Sequence, residues 1–182
     1  RNHSSAASDV YKRQALEMVD DGANWIDIGG ESTRPGAKPI SIEEEMERVI
    51  PIVTEVSQHC CVSIDTRNHI VAKKALEVGA SMINDVSGLR DQKMFDLVIE
   101  SGCSVCIMHM QGEPGNMQKN PKYTNVVEEV RENLLEKADR LVDNGHPIEK
   151  IYLDPGIGFG KLLQHNLELL RASDSLLSLI HI

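Results

Sequence analysis

Residues 153–161 read Leu153-Asp154-Pro155-Gly156-Ile157-Gly158-Phe159-Gly160-Lys161. The apolar residues 151–153 are typical of a buried strand, and Pro155 ends that strand because proline has no backbone donor. The three glycines that follow let the backbone approach a ligand closely or take a positive φ. A carboxylate at a strand end beside such a turn is a common place for the chemistry of an α/β protein. From this segment alone, a plain strand-to-helix turn is an equally good interpretation.

Composition predicts a soluble globular chain of about one domain. The chain has 182 residues, of which 41% are hydrophobic, and this is enough for a core. Aromatic residues make up only 3% and the net charge is −9. A nucleic-acid binder needs stacking side chains or a basic surface, so we expect no nucleic-acid partner. No apolar run reaches the roughly 18 residues of a membrane helix and no secretory signal is visible, so we expect no membrane association and a cytoplasmic protein.

The four cysteines do not indicate a site. Cys103 and Cys106 form a C-x-x-C pattern that could be a redox pair or half of a zinc site. Residues 103–108 are typical of a buried strand, however, where residues three apart point to opposite faces, and no second ligand pair follows at zinc spacing. We therefore predict four reduced core thiols and no metal ligands among the residues of this chain.

Strand and helix patterns alternate along the middle of the chain. Apolar segments typical of strands lie at residues 25–28, 62–66, 82–86, 104–108 and 151–153. Helical patterns lie between them, several ending at a glycine suited to a left-handed cap. No hairpin signal separates the strands, so we predict parallel strands joined by helical crossovers. Residues 1–14 and 173–182 lack the pattern and are expected to be non-native or disordered, which leaves residues 15–172 as the domain.

Two α/β architectures fit this alternation, an open doubly wound sheet and a closed (β/α)8 barrel. The doubly wound sheet usually carries G-x-G-x-x-G after its first strand, and that motif does not occur here. Polar residues instead lie at the ends of the strands, namely Asp27, Asp65, Asn84, Asp85, His109 and Asp154. A barrel brings such ends to one mouth, and a complete barrel takes about 250 residues. We therefore predict an incomplete TIM barrel with about five parallel βα units.

Five motifs in order, between about residues 15 and 170, together resemble the dihydropteroate synthase family. They are Gly30-Glu31-Ser32-Thr33-Arg34-Pro35-Gly36, Ser63-Ile64-Asp65-Thr66, Ile83-Asn84-Asp85, Met108-His109-Met110-Gln111-Gly112 and residues 154–161. Other pterin-binding barrels share the scattered Asp and Asn positions. The first and fourth motifs separate the chain from pterin-dependent methyltransferases, which are the alternative barrel enzymes.

The resemblance implies an activity and a set of site residues. The parent enzyme would condense p-aminobenzoate with 6-hydroxymethyl-7,8-dihydropterin diphosphate, giving 7,8-dihydropteroate and diphosphate in folate biosynthesis. The implied substrate-binding residues are Thr33, Arg34, Asp65, Asn84, Met108, Asp154 and Phe159. Asp65 and Asp154 are also the implied catalytic residues, because buried carboxylates would stabilise the positive charge that develops on the pterin methylene.

Each of these residues has a simpler structural interpretation. For Asp65 and Asp154 it is a helix N-cap, which asks for the same residue type at the same place. For Arg34 it is a solvated loop charge. We expect Asp85 and His109 to be structural and Lys161 to support the turn.

The resemblance also implies parts of the family that this sequence does not show. In the family, the first strand supplies an asparagine that helps bind Mg²⁺ and diphosphate, and the seventh and eighth strands complete the anion site. Nothing before Ala15 or after about Arg171 resembles them, so we expect an internal fragment that lacks the first and the last two strands. Mg²⁺, a homodimer and inhibition by sulfonamides would belong to the parent enzyme. The isolated chain is expected to be inactive, and a non-catalytic pterin-binding remnant is the alternative.

Overall fold

The computed structural model describes residues 3–34, 37–113 and 115–174 of the chain. It is an α/β structure in which strands and helices alternate. The strands are β1 (Trp25–Gly29), β2 (Cys61–Asp65), β3 (Met82–Asp85), β4 (Ser104–Met108) and β5 (Ile151–Asp154). The helices are α1 (His3–Asp20), α2 (Ile42–Val56), α3 (His69–Glu77), α4 (Gln92–Ser101), α5 (Val126–Asp143) and α6 (Leu163–Arg171), with a short 3-10 turn at Ile148–Lys150. All five predicted strands are therefore present, within one or two residues of their predicted ends.

The five strands form one parallel sheet in the order β1-β2-β3-β4-β5. A doubly wound sheet reverses its strand order at a switch point, and this sheet does not. Sequential order with a helix after each strand is the arrangement of a barrel wall, in which the helices pack on one face and the other face becomes the interior. The carboxyl ends of all five strands lie along one edge.

Strand residues alternate between these two faces. Ile26 and Ile28 of β1, Val62 and Ile64 of β2, Ile83 of β3, and Val105 and Ile107 of β4 are buried and belong to the main hydrophobic cluster. That cluster also contains the buried stripes of the helices, such as Val49, Val53 and Val56 of α2. Their neighbours in sequence, including Asp27 and Asn84, consequently point to the opposite face, which we call the inner face.

Helix termini follow the residues that cap them. Ser41 Oγ accepts the backbone N–H of Glu44 at 3.1 Å at the start of α2. Asn125 Oδ1 accepts the N–H of Glu128 at 3.2 Å at the start of α5. Gly102 closes α4 with φ of 59°, as the sequence predicts. Local chemistry thus fixes these boundaries.

The first helix begins earlier in the chain than the sequence predicts. Helix α1 continues back to His3, through residues that we expected to be a tail. The predicted domain limits at residues 14 and 172 stay predictions, and residues 175–182 lie outside the described part of the chain.

The cysteine prediction is half right. All four cysteines are free thiols. Cys106, however, is half-buried on the inner face outside the main core, and Cys61 is exposed. The position of Cys61 at the start of β2 puts its side chain on the inner face, paired with Trp25 of β1.

Apolar side chains are exposed at both edges of the sheet. Trp25 of β1 and Tyr152 of β5, both on the inner face, are 39% and 44% exposed. On α6, Leu163, Leu167 and Leu170 are exposed along one side of the helix. Within the described residues, β1 and β5 each pair with a neighbour on one side only, so both edges of the sheet are open. None of the described helices is long and apolar enough to cross a membrane.

Candidate active site

The strand register brings four of the seven predicted site residues onto the inner face near the carboxyl edge. Asp65 pairs with Asn84 across β2 and β3, and Met108 pairs with Asp154 across β4 and β5. Asn84 also pairs with Cys106, which is two residues before Met108 and therefore on the same face. Four separate sequence segments thus contribute to a single surface.

Asp65 is the most electrostatically perturbed carboxylate of this surface. Burial raises the pKa of Asp65 to about 7, and the negative charges of Asp27 and Asp85 add to the increase. The helix-cap interpretation does not hold for it, because the N-cap of α3 is Asn68, whose Oδ1 accepts the N–H of Ile70 at 3.2 Å. Near neutral pH this carboxyl group therefore exists in both protonation states.

Asp154 is fixed by the turn that follows it. Its Oδ1 accepts the backbone N–H of Gly156 at 2.7 Å. The N-cap position of α6 is occupied by Leu162, so Asp154 is not a helix cap. Within the described residues its Oδ2 accepts no hydrogen bond and is available to a ligand.

Asn84 is oriented by a residue that the sequence analysis did not include in the site. Its Nδ2 donates to Oδ2 of Asp27 at 3.2 Å. A carboxylate can only accept, so this bond sets the orientation of the Asn84 amide and leaves its Oδ1 as an acceptor. The sequence signal for Asp27 is a carboxylate between Ile26 and Ile28, at the one central position of β1 that faces inward.

The pKa of the Cys106 thiol reflects the carboxylates that lie near it on the inner face. Burial raises the pKa of the Cys106 thiol to about 12, and the charges of Asp154, Asp27 and Asp65 add to the increase. This thiol is fully protonated at neutral pH, so it is not a nucleophile.

An apolar wall lies beside these polar groups. Val86, Met108, Met110 and Met117 form a small buried cluster that is separate from the main core, and Phe159 packs against it. The two predicted wall residues, Met108 and Phe159, are therefore in one cluster although Met108 ends β4 and Phe159 lies in the turn after β5. A flat apolar ring could lie against this wall while its edge reaches the carboxylates.

Lys161 holds the glycine turn in place. Its buried Nζ donates to the carbonyl oxygens of Gly156 at 3.0 Å, Phe159 at 2.9 Å and His109 at 3.2 Å, and lies 3.1 Å from His109 Nδ1. Burial lowers the pKa of Lys161 to about 8. Burial and the charges of Lys161 and Lys137 lower the pKa of His109 to about 4, so His109 is neutral and accepts through Nδ1.

Two glycines of the turn, Gly156 and Gly160, allow the turn to pack closely against another part of the backbone. A Cβ on Gly156 would overlap with the carbonyl oxygen of His109, and one on Gly160 would lie 2.6 Å from that of Gln111. Both have positive φ, 66° and 61°. Their close approach is therefore to the backbone after β4, and not to a ligand as the sequence suggested. Of the three, only Gly158 faces open space.

Asp85 and the Thr33–Arg34 segment lie apart from this group. Asp85 is fully buried and accepts hydrogen bonds from Ser87 N, Ser87 Oγ and Leu89 N at 2.8–2.9 Å, which stabilises the turn after β3. Thr33 is half-buried and Arg34 is exposed. Within the described residues the Arg34 side chain makes no hydrogen bond or ion pair, so the structure does not bring it to Asp65 or Asp154.

A separate cavity lies at the edge of the sheet. It has a volume of about 760 Å³ and lies along the unpaired edge of β1, between α1 and α2, with Tyr11, Met18, Ile28 and Arg48 among its lining. We do not place the site there, because the cavity follows from an uncovered sheet edge, and Asp65, Asn84 and Asp154 lie on other strands. Among the described residues, no group of three or more His, Cys, Asp or Glu is placed to hold a metal ion.

Residues 4–180 match the family described as pterin binding enzyme. The chain is 46% identical over 164 residues to the dihydropteroate synthase of Escherichia coli strain K12, covering 89% of this chain and 58% of that protein. Its structure is similar to that of dihydropteroate synthase from Thermus thermophilus in complex with 4-aminobenzoate (TM-score 0.84, 44% identity, 92% of this chain and 64% of that one). It is also similar to the Burkholderia cenocepacia enzyme complexed with 7,8-dihydropteroate (TM-score 0.86, 43% identity, 93% and 62%). The chain thus spans about 58% of the E. coli relative, and the predicted incomplete barrel of five βα units is confirmed.

Proposed function

The chain belongs to the pterin binding enzyme family, as its five motifs predict, and on that premise we propose that it is part of a dihydropteroate synthase. The parent enzyme condenses p-aminobenzoate with 6-hydroxymethyl-7,8-dihydropterin diphosphate and releases 7,8-dihydropteroate and diphosphate. The observation that carries this proposal is the inner face, where Asp65, Asn84 and Asp154 lie together beside the apolar wall of Met108 and Phe159. The ligands named for the T. thermophilus and B. cenocepacia structures support it.

The polar residues suit the edge of a pterin ring. The free Oδ2 of Asp154 accepts from the amino and amide N–H groups of the ring. The Asn84 Oδ1, oriented by Asp27, accepts from another edge. Because these groups sit on rigid strand ends, little has to be reordered on binding.

The same carboxylates assist the chemistry. The C–O bond to diphosphate breaks, the arylamine nitrogen forms the new C–N bond, and the amine then loses a proton. Positive charge builds up on the pterin methylene as diphosphate leaves, and the nearby negative charges stabilise it. Since the pKa of Asp65 is about 7, its contribution increases as the pH rises through neutrality.

Thr33 and Arg34 are proposed to contact the substrates once these are bound. Arg34 is exposed and lies in the loop that follows β1, so its guanidinium is free to pair with an anionic substrate group.

Other properties of the parent enzyme are also part of this proposal. A homodimer would cover some of the exposed leucines of α6. A cytoplasmic location suits four free thiols. Sulfonamide binding is proposed because the Yersinia pestis relative is described in complex with such a drug. Mg²⁺ is proposed for the parent alone, because the described residues contain no fitting ligand group and no step above depends on the metal.

For the 182-residue chain by itself we propose pterin binding without turnover. The exposed edges of β1 and β5 favour this second possibility, because the groups that would face the diphosphate across the mouth are not among the described residues.

The variant Asp154→Asn tests the pterin site. We expect it to weaken binding of 7,8-dihydropteroate to the chain at least tenfold, because a charged acceptor is lost, which typically costs about 1.5–3 kcal/mol. Isothermal titration calorimetry measures the affinity, and Asp139→Asn on the exposed side of α5 is the matched control. Equal affinity of Asp154→Asn and the unchanged chain would contradict the proposed site.

A further inference from the structure

The loop after β1 is attached to the rest of the chain at its first two residues. Arg48 of α2 donates from Nη1 to the carbonyl oxygen of Gly30 at 2.9 Å. Gly30 also packs so closely that a Cβ there would lie 2.9 Å from Cγ1 of Val49. The next residue, Glu31, accepts two hydrogen bonds from Arg67, from Nε at 3.0 Å and from Nη2 at 3.2 Å. The start of the loop is thus held through both its backbone and a side chain.

Beyond Glu31, the described residues of the loop hydrogen-bond only to one another. Arg34 donates its backbone N–H to Ser32 Oγ at 3.4 Å, and Ala37 donates to the carbonyl oxygen of Arg34 at 3.0 Å. Among the described residues from 32 to 40, these are the hydrogen bonds, and none reaches another element. Glu31 is therefore the last fixed point before Thr33 and Arg34.

The partner of Glu31 comes from the strand end that carries Asp65. Asp65 faces inward, Thr66 Oγ1 donates to the buried Glu45 of α2 at 2.6 Å, and Arg67 binds Glu31. Thr66 is buried, so the backbone that sets the direction of Asp65 also sets the position of Arg67. Residues 65–67 therefore position both the start of the loop and the carboxylate of Asp65.

The geometry of this pair differs from that of an ordinary surface ion pair. Exposed single-contact pairs contribute little, whereas a bidentate arginine fixes both distance and orientation. The Glu31 side chain is only 16% exposed, and the pair joins residues that are 36 positions apart. By contrast, the Lys74–Glu77 pair at 2.9 Å makes one contact within α3 and leaves both side chains 49% exposed.

We propose that Glu31 and Arg67 are positioning residues, whose bidentate pair fixes Thr33 and Arg34 relative to the end of β2 and Asp65. The pair itself touches no substrate. It sets where the loop begins, so that Thr33 and Arg34 start from a defined place when substrates arrive. The pairing of Glu31 with Arg67 is a property of the fold, and the inference rests on the proposed function only for the role of Thr33 and Arg34.

Hydrogen exchange of the full chain tests this inference, because it reports on the loop without any ligand. In Glu31→Gln and in Arg67→Gln we expect the backbone amides of Arg34 and Ala37, which donate the hydrogen bonds of the loop, to exchange about three to five times faster. The urea midpoint and the near-ultraviolet circular dichroism should stay unchanged. The reversed pair Glu31→Arg with Arg67→Glu should restore slow exchange, which a role in general stability would not produce.

Lys74→Gln is the matched control, since it removes an ion pair of similar length within α3, and it should leave the exchange of Arg34 and Ala37 unchanged. Unchanged exchange in both Glu31→Gln and Arg67→Gln would overturn the inference, as would failure of the reversed pair to restore it. Loss of the fold in both single variants would also contradict it, because the pair would then hold more than the loop. A normal pterin affinity in Asp154→Asn would refute the proposed function and leave this result unaffected.

Discussion

Two loops at the mouth of the barrel wall are held in opposite ways. The turn after β5 is fixed from inside by Lys161, a buried ammonium whose hydrogen bonds end on Gly156, Phe159 and His109. The loop after β1 is held from outside by Glu31, through a partly exposed ion pair, and Arg34 beyond it is exposed. One loop is part of the protein interior and the other is tethered to its surface.

This difference suits the two halves of the proposed reaction. A pterin ring is rigid, so the groups that recognise it gain from being fixed before the ring binds. The arylamine must enter and the diphosphate must leave, and a loop with a fixed start and a free continuation permits both. The largest effects on stability should therefore come from the turn after β5, and the smallest from the loop after β1.

The largest expected effect comes from filling the contact between the turn and the strand beside it. Gly156→Ala would place a Cβ in overlap with the carbonyl oxygen of His109, at a φ of 66° that alanine adopts poorly. We expect a loss of at least about 4 kcal/mol in the free energy of unfolding, measured by urea denaturation.

Gly158→Ala is the control for this substitution. Gly158 also has a positive φ, 86°, but a Cβ there would meet nothing within 4 Å. We expect a loss of about 1 kcal/mol from the backbone conformation alone. Equal losses in the two variants would show that the close contact does not hold the turn.

An intermediate effect with the opposite sign is expected for Asp65→Asn. The pKa of Asp65 is about 7 in the folded chain and 3.8 without its surroundings, so the folded chain binds this proton more tightly than the unfolded chain. Proton binding therefore stabilises the fold fully below pH 3.8, and this contribution to the free energy of unfolding is lost as the pH rises through 7. At pH 8 we therefore expect Asp65→Asn to be more stable than the unchanged chain by about 2 kcal/mol, which is roughly half of the full shift. The gain should vanish as the pH falls toward 4, and pterin binding should be lost.

Urea denaturation across this pH range measures the effect, with Asp139→Asn on α5 as the control. A stability difference that does not change with pH would contradict the account of Asp65. The fall of the His109 pKa to about 4 works against the Asp65 effect, since that histidine makes the chain less stable as the pH falls from 6.5 toward 4. The comparison must therefore be made between variants at each pH.

The smallest effect on stability is expected for Arg34→Ala. Its exposed side chain makes no hydrogen bond or ion pair in the described structure, so the free energy of unfolding should change by less than about 0.5 kcal/mol. In the parent enzyme the same substitution should raise KM for p-aminobenzoate about tenfold. Steady-state kinetics measures this value, and a loss of stability above about 1 kcal/mol would mean that the loop is packed more firmly than the ion pair implies.

Most of the fold could be read from the sequence because local signals agree with one another. The apolar segments at residues 25–28 and 62–66 contain carboxylates near their ends, and the glycines at 79 and 102 end the helices, so the βα repeat is visible without a structure. Four site residues share one face of the sheet, namely Asp65, Asn84, Met108 and Asp154. Side-chain alternation within each strand is not enough to predict this, because the register between the strands must also be known. The register depends on pairing between strands that are tens of residues apart, and the sequence does not state it.

The glycine turn at residues 154–161 shows the limit of that reading. Its glycines are visible in the sequence, but whether they approach a ligand or the protein depends on what packs beside them. In the structure, Gly156 and Gly160 pack against the backbone of His109 and Gln111, which lie more than 40 residues earlier in the chain. The same holds for Lys161, whose acceptors on two loops form a cage around its ammonium.

By itself, the sequence determined the βα alternation, the parallel sheet and the motifs that mark the family, because periodicity, caps and turn residues act over a few positions. Tertiary structure decided the rest. It alone set the orientation of Asn84 by Asp27, the burial that brings the pKa of Asp65 to about 7, and the pairing of Glu31 with Arg67. These properties depend on distances and dielectric surroundings between distant segments, and such quantities exist only once the chain has packed.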